Sequence, residues 1–199
     1  MVQTKLSLSF TAGGLLYHET VVVAESYVAS GCDWNAALEK VESQNLLQSR
    51  TASTAKRKLR EIAQRLKQLT NSEIRLLVSG TRQEQKLIIW LACCLRYHLL
   101  ADFARDVVRS KYLQLDYSID LADIQRFIEA KMAWHEELES LAPSTLAKLQ
   151  TVMMRMLRES ELVSDDGLIT SPPISEELKK VLVFDSPEHL LLFPLAIEE

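Results

Sequence analysis

Apolar residues recur at helical spacing through most of the chain. In residues 50–67 they repeat at intervals of three, four and seven positions and form one helical face, with Leu59, Ile62, Ala63 and Leu66. Residues 146–157 repeat this spacing with Leu146, Leu149, Val152, Met153, Met156 and Leu157. The pattern predicts a mainly α-helical fold, a bundle of several packed helices.

Three predicted helices come first in the chain, at about residues 15–29, 34–42 and 50–67. The pair Gly13–Gly14 precedes the first, and without a nucleotide-binding motif such a pair indicates a turn more often than a phosphate cradle. Three helices in this order, the third basic and preceded by hydroxyl residues, are typical of a helix-turn-helix. We therefore expect a helix-turn-helix-like N-terminal unit over residues 1–70.

Residues 71–140 are predicted to form a central helical bundle. Thr70 with Glu73 and Thr81 with Glu84 fit the capping-box pattern at two helix starts. The second start leads into one long predicted helix that continues to about residue 113. Its apolar run, residues 87–95, is far shorter than the roughly 20 residues that a membrane span needs. We therefore expect a buried core helix and no membrane insertion.

Residues 141–199 are predicted to form a winged-helix-like C-terminal unit with an acidic tail. Short apolar pairs flank Asp165, Asp166 and Gly167, which is typical of a β-hairpin, and a helix precedes them directly. Residues 159–199 contain ten acids and two lysines. The sequence Ser-Pro-Glu from Ser186 is typical of the beginning of a helix, and we expect the apolar residues after it to pack on the rest of the protein.

Positive charge is concentrated in two of these helices. The chain of 199 residues has a net charge of −4, yet residues 50–67 contain seven Lys or Arg against the single acid Glu61. Residues 141–158 contain three basic residues and no acid. Most charge runs on helices are solvated faces, but such faces normally alternate Lys with Glu. The asymmetry instead suggests a polyanion as partner.

The candidate nucleic-acid-binding residues lie on these two helices. Hydroxyl groups would cap the first helix and meet a phosphate at its positive end, while Lys and Arg would contact neighbouring phosphates. Arg50, Arg57 or Gln64 would reach base edges if the helix enters a major groove. The full set is Arg50, Thr51, Ser53, Thr54, Lys56, Arg57, Lys58, Arg60, Gln64, Arg65, Lys67, Lys148, Arg155 and Arg158.

The spacing of potential catalytic and metal-binding residues matches no known catalytic, metal-binding or cofactor-binding motif. None of the four histidines stands at metal-ligand spacing, and no nucleophile elbow or P-loop is present. Cys93 and Cys94 are adjacent within the apolar run, and the N-terminus has no signal-peptide pattern. We therefore expect a non-enzymatic cytoplasmic protein with reduced core cysteines, no cofactor and no small-molecule substrate.

Five segments resemble the BrxA family: "LSFTAGGLLYHET", "NLLQSRTASTAKRKLREI", "EQKLIIWLACCLRYHLLADFA", "AKMAWHEELESL" and "LQTVMMRMLRESELVSDDGLI". The resemblance extends from about Leu6 to Leu182. It implies a small accessory protein of a BREX bacteriophage-defence system, acting beside a methyltransferase, an ATPase and other BREX proteins. The family is also described as similar to the RNA-binding antiterminator NusB. The resemblance implies no catalytic residues.

Three functions are compatible with these patterns. The predicted basic helix and hairpin favour binding of double-stranded DNA, mainly through phosphate contacts. An RNA-binding, NusB-like module has a similar helical body with a basic face, although no RNP-type aromatic motif is present. A protein adaptor within the BREX assembly would instead use the acidic C-terminal part as its contact.

Overall fold

Helices account for nearly all the regular structure in residues 6–196, which the computed structural model describes. The predicted mainly α-helical fold is thereby confirmed. A 3-10 turn at Ser9–Ala12 comes before the first helix. The α-helices are α1 Tyr17–Ala29, α2 Trp34–Ser43, α3 Ala52–Leu66, α4 Asn71–Ser79, α5 Arg82–Arg96, α6 His98–Phe103, α7 Ser110–Leu113, α8 Leu121–Met132, α9 Glu136–Glu139, α10 Pro143–Glu159 and α11 Glu176–Asp185.

Polar side chains define where several helices begin. Asp33 Oδ1 accepts hydrogen bonds from the first-turn N–H groups of α2. Both predicted capping boxes are present, at Thr70 with Glu73 and at Thr81 with Glu84. These contacts satisfy N–H groups that have no partner within the helix. Local sequence therefore determines these helix starts directly.

Helix α5 lies at the centre of the core, where residues 87–94 are all buried. The predicted continuation of this helix to residue 113 is wrong, because Tyr97 leaves the helical conformation with φ −123° and ψ 96°. The Tyr97 ring packs on Phe10 at 5.0 Å between centroids, and its hydroxyl lies 3.4 Å from Arg65 Nε. These contacts break the helix at Tyr97, and the chain continues as α6, a π-helical segment Ala104–Arg109 and α7.

Within residues 6–196, no single helix is long and apolar enough to cross a membrane. The pair Arg82–Arg96 and His98–Leu113 reaches that length and apolarity together, but it is bent by 115°.

The structure does not confirm the helix-turn-helix or winged-helix units. Helices α2 and α3 are joined by residues 44–51, whereas a helix-turn-helix has a turn of about three or four residues. The chain does turn where the β-hairpin was predicted, around Asp165, Asp166 and Gly167, with Gly167 N–H donating to Ser164 O at 3.0 Å. Val163 pairs with Ile169 across this turn and Ser118 pairs with Leu168, but both are isolated antiparallel bridges, and the described residues contain no β-strand. The division into three units remains a prediction.

The C-terminal apolar segment docks on the body, as the sequence predicts. It forms a 3-10 helix at Pro187–Leu192, with Leu190, Leu192 and Phe193 buried. The indole N–H of Trp90 in α5 donates to Leu192 O at 3.0 Å. The final residues 197–199 lie outside the described part of the chain.

Arg65 of α3 is fully buried, at 0% exposure, against the turn between the 3-10 segment and α1. Its Nη1 donates to Gly14 O at 2.7 Å and to Leu15 O at 3.2 Å, and its Nη2 lies 3.2 Å from Glu61 Oε1. A helical projection places Arg65 beside the apolar stripe of α3, and the packed turn covers it there. Its assignment as a nucleic-acid contact is therefore corrected: Arg65 is a structural residue.

Replacing Arg65 by Met is expected to lower the free energy of unfolding by about 3 to 5 kcal/mol, because Glu61 and two carbonyl groups lose a buried partner. Arg57→Met makes the same chemical change at an exposed position of the same helix and should change stability by less than about 0.5 kcal/mol. Urea denaturation measures both variants. Equal stability of the two variants would contradict the structural role of Arg65.

Thiol labelling is expected to distinguish the three free cysteines. Cys93 and Cys94 are buried; burial raises the pKa of Cys93 and raises that of Cys94 well above its ordinary value. Since the thiolate is the reactive form, neither should react in the folded protein, whereas half-buried Cys32 should. We expect one fast-reacting thiol before denaturation, three after it, and none in folded Cys32→Ser. Fast native labelling of Cys93 or Cys94 would contradict the described packing.

Candidate nucleic-acid interface

Thr51 caps the N-terminus of α3 with its side chain. Its Oγ1 accepts a hydrogen bond from Thr54 N–H at 3.3 Å and donates one to Thr54 Oγ1 at 2.9 Å, and Ser53 Oγ lies 3.2 Å away. The predicted cap is thereby confirmed. Thr51 and Ser53 are exposed and Thr54 is half-buried, so polar groups surround the positive end of the helix.

The outer face of α3 is cationic and accessible. Its predicted apolar stripe is buried, as Leu59, Ile62, Ala63 and Leu66 all lie in the core. Arg50, Lys56, Arg57, Arg60 and Lys67 are exposed. Within residues 6–196, none of the first four has a hydrogen bond or ion pair through its side chain. Four positive charges are therefore presented without an ion pair among the described residues, although Glu61, which is paired with Arg65, lines a cavity together with Arg57 and Arg60.

Other candidates on α3 already have partners. Lys58 Nζ lies 2.7 Å from Glu19 Oε1 in α1. Burial of Glu19 tends to raise its pKa, but the hydrogen bond and charge of Lys58 outweigh burial and hold the pKa below its usual value. Gln64 Oε1 accepts a hydrogen bond from Arg96 at 3.3 Å, and Lys67 Nζ lies 5.6 Å from the Trp34 ring centroid. These three residues are less free to contact a ligand.

Helix α10 presents a second basic row. Lys148, Arg155 and Arg158 are exposed and stand seven and three positions apart, on one face of the helix. Arg155 Nε lies 3.6 Å from Glu159 Oε1. Arg158 lines a cavity of about 590 Å³ together with Gln83, Lys86, Glu161, Asp165 and Ser171, so acidic side chains lie beside this end of the row.

The residues just before α1 connect the two basic helices. Gly13 and Gly14 N–H groups donate to Phe10 O at 3.3 and 3.4 Å, so the glycine pair forms a turn, as the sequence indicates. Arg65 of α3 donates to the carbonyl groups of this turn, and Glu159 of α10 accepts from Leu15 N–H at 2.6 Å. Sequence reasoning missed Glu159 here; its i,i+4 spacing from Arg155 was the available signal.

Within the described residues 6–196, no group of three or more His, Cys, Asp or Glu side chains is arranged to hold a metal ion.

A family model and two related proteins match this chain, and all three have the same family name. The sequence model of the BrxA family matches residues 4–186. A "BREX protein BrxA" of Escherichia coli O9:H4 (strain HS) is 26% identical over 151 residues, which are 76% of this chain and 70% of that protein. A "BREX protein BrxA" of Bacillus cereus (strain H3081.97) is 27% identical over 153 residues, 76% of this chain and 74% of that protein.

A solved structure shares the fold. The crystal structure of an uncharacterized protein from Magnetospirillum magneticum superposes with a TM-score of 0.81, over 96% of this chain and 98% of that chain, at 20% identity. The family model covers nearly the whole chain, and both curated relatives carry the family name. The resemblance seen in the sequence is thereby confirmed: the chain belongs to the BrxA family.

Proposed function

We propose that this protein is a non-enzymatic nucleic-acid-binding component of a BREX phage-defence system and that it binds double-stranded DNA mainly through phosphate groups. The BREX setting is taken from the names of the two relatives. The observation that carries the binding proposal is the row Arg50, Lys56, Arg57 and Arg60. These exposed side chains have no acidic partner within residues 6–196.

Uncompensated cations on one helix face repel one another, and a polyanion removes that repulsion. Each Lys or Arg that neutralises a phosphate also releases a counterion, which makes such binding strong at low salt and weak at high salt. Phosphate contacts carry no sequence information. The proposal therefore implies affinity for DNA of any sequence, and it does not depend on a winged-helix arrangement.

A duplex is favoured over a single strand because the cations occupy two helices, α3 and α10. A duplex presents two phosphate rows, whereas single-strand binding commonly relies on exposed aromatic side chains that stack on bases. The exposed aromatic side chains among the described residues, Tyr117, Trp134 and Phe184, all lie outside these two helices.

An adaptor function is the second candidate, and Phe184 supports it. This side chain is 88% exposed on α11, and its neighbour Val183 is 39% exposed. Large exposed apolar groups are typical of protein contacts. Under this proposal another BREX protein would cover this face of α11. The following experiments separate the two candidates.

Changing Lys56, Arg57 and Arg60 together to Gln is expected to weaken binding to duplex DNA of any sequence. The salt dependence of binding should flatten by about 0.9 per lost phosphate contact, or roughly 2.7 for the three changes. Stability should change little, because all three residues are exposed and Gln forms helices well. Fluorescence anisotropy of a labelled duplex across a salt series measures affinity and slope together.

The matched control changes Arg75, Lys179 and Lys180 to Gln. These exposed residues lie on α4 and α11, so the control alters net charge equally but leaves both basic helices intact. We expect its affinity to remain close to that of the wild type. If the two triple variants bind duplex DNA alike, the α3 face is only a solvated face and the adaptor function becomes the better proposal.

Double-stranded DNA is expected to bind more tightly than single-stranded DNA of equal length at the same salt concentration. The reason is the distribution of cations over two helices without exposed aromatic side chains beside them. Competition against one labelled duplex, with single-stranded DNA and double-stranded RNA as competitors, measures the order of affinity. Preference for RNA would favour the NusB-like function, and preference for single-stranded DNA would argue against duplex binding.

A further inference from the structure

We propose that residues 113–121 and Leu168 form a docking surface for a different protein, one that presents apolar side chains next to Lys or Arg. The basic face of α3 and the exposed face of α11 are not part of this docking surface. The inference therefore goes beyond both candidate functions and does not depend on DNA binding.

Exposed apolar side chains are concentrated on this surface. Eight large hydrophobic side chains are exposed among the described residues, and five of them belong to it: Leu113, Leu115, Tyr117, Leu121 and Leu168. The loop and Leu168 are adjacent because Ser118 and Leu168 form an antiparallel bridge, in which Ile119 N–H donates to Gly167 O at 2.9 Å. Exposed apolar groups that occur together, unlike single ones, mark a site of interaction with another molecule.

Leu115 occupies a backbone position that is unfavourable for leucine. Its φ of +62° lies in the left-handed region, where glycine or asparagine is favoured. The residue follows α7 at the position where many helices end with glycine, because Leu115 N–H donates to Tyr112 O at 3.1 Å and Asp116 N–H donates to Lys111 O at 3.0 Å. The side chain is 73% exposed, so burial in the core does not compensate. Contact with a partner would explain a leucine here, whereas the fold of the loop does not.

The loop is held in shape before any partner arrives. Lys111 Nζ lies 2.6 Å from Asp116 Oδ2 and 3.5 Å from Asp123 Oδ1, and Ser118 Oγ donates to Asp116 Oδ1 at 3.0 Å. The Tyr112 and Tyr117 rings lie 5.5 Å apart between centroids. Side chains presented by an ordered loop bind more tightly, because less ordering is needed on binding.

Carboxylates outnumber the free cations beside these apolar side chains. Leu121 also lines a cavity of about 400 Å³, and the charged residues of its lining are Asp120, Asp165, Asp166, Arg155 and Arg158. Arg155 is paired with Glu159 of its own helix at 3.6 Å, and Asp120 caps α8. Among residues 6–196 none of the other lining charges forms an ion pair. Three carboxylates and one guanidinium are therefore left for a partner to pair.

These charges indicate the kind of partner. Unpaired carboxylates repel a polyanion, so DNA is disfavoured on the docking surface itself, although Arg155 and Arg158 also belong to the basic row of α10. Lys or Arg beside apolar side chains would match both the carboxylates and the exposed leucines. An apolar centre with a polar border is the usual arrangement of an interface between proteins.

Leu115→Asn separates a docking role from a structural role. Asparagine tolerates the left-handed conformation, so the melting temperature should equal or exceed that of the wild type, although most substitutions lower it. Gln48→Asn is the matched control, because Gln48 is also exposed and has φ +47°. A lower melting temperature for Leu115→Asn than for Gln48→Asn would make Leu115 a structural residue and would overturn the proposal.

Photo-crosslinking identifies the occupant of the docking surface. Leu168 is replaced by photoreactive p-benzoylphenylalanine in the full-length chain, expressed in its own host cell, and mass spectrometry identifies the adduct and the attached segment. We expect a different protein, attached through a segment that contains apolar residues and Lys or Arg. The same substitution at position 48 should not give this adduct.

The captured protein is then purified and titrated with each variant. It should bind Leu115→Asn about tenfold more weakly than Gln48→Asn, and a double variant with Asp165→Asn and Asp166→Asn should show a similar loss that added salt reduces. Affinity for duplex DNA should be the same for Leu115→Asn and Gln48→Asn.

Several outcomes would overturn the proposal. An adduct with a second copy of this chain would make the surface a self-association site, and a loss of duplex affinity in Leu115→Asn would assign it to nucleic acid. The absence of any adduct at position 168, or equal binding of the captured protein to Leu115→Asn and Gln48→Asn, would leave no docking function. A captured segment without Lys or Arg would contradict the charge matching.

Discussion

The buried guanidinium of Arg65 is the interaction on which the arrangement of the basic helices depends. A charge in the interior is costly unless it is paired and hydrogen-bonded, so Glu61 and two backbone carbonyl groups must remain beside it. This requirement fixes the turn before α1 against α3. Glu159 then joins α10 to the same turn through Leu15 N–H. A buried cation thus holds the turn that contacts both of the helices with exposed basic residues.

A consequence is that α3 contains both exposed and buried arginines, and sequence composition alone does not distinguish the two. Arg57 and Arg60 are exposed, whereas Arg65 is buried, although all three stand within one helix. Replacing the exposed arginines changes the charge of the surface. Replacing the buried arginine removes the contacts that hold α3 against the turn before α1. Binding and stability are thus coupled through the helix that carries both kinds.

Local patterns predicted much of the helical structure, including the apolar stripe of α3 and the caps at Thr51, Thr70 and Thr81. They failed where a distant contact decides the conformation. Arg65 is covered by Gly14 and Leu15, which precede it in the chain by 51 and 50 positions. The helix break at Tyr97 follows from the packing of its ring on Phe10. The turn around residues 165–167 was also predicted, but the bridge between Ser118 and Leu168 joins it to a distant loop that the local sequence does not indicate. Whether the cationic faces bind nucleic acid stays a prediction, because side-chain exposure alone identifies no ligand.

The docking of Trp90 on Leu192 has a consequence for synthesis of the protein. The indole N–H in the central helix receives its acceptor from a residue 102 positions later in the chain. At roughly 5 to 20 residues per second, translation separates the two by about 5 to 20 seconds. During that interval the side chain of Trp90 has neither its acceptor nor the apolar cover that the 3-10 helix provides in the folded protein.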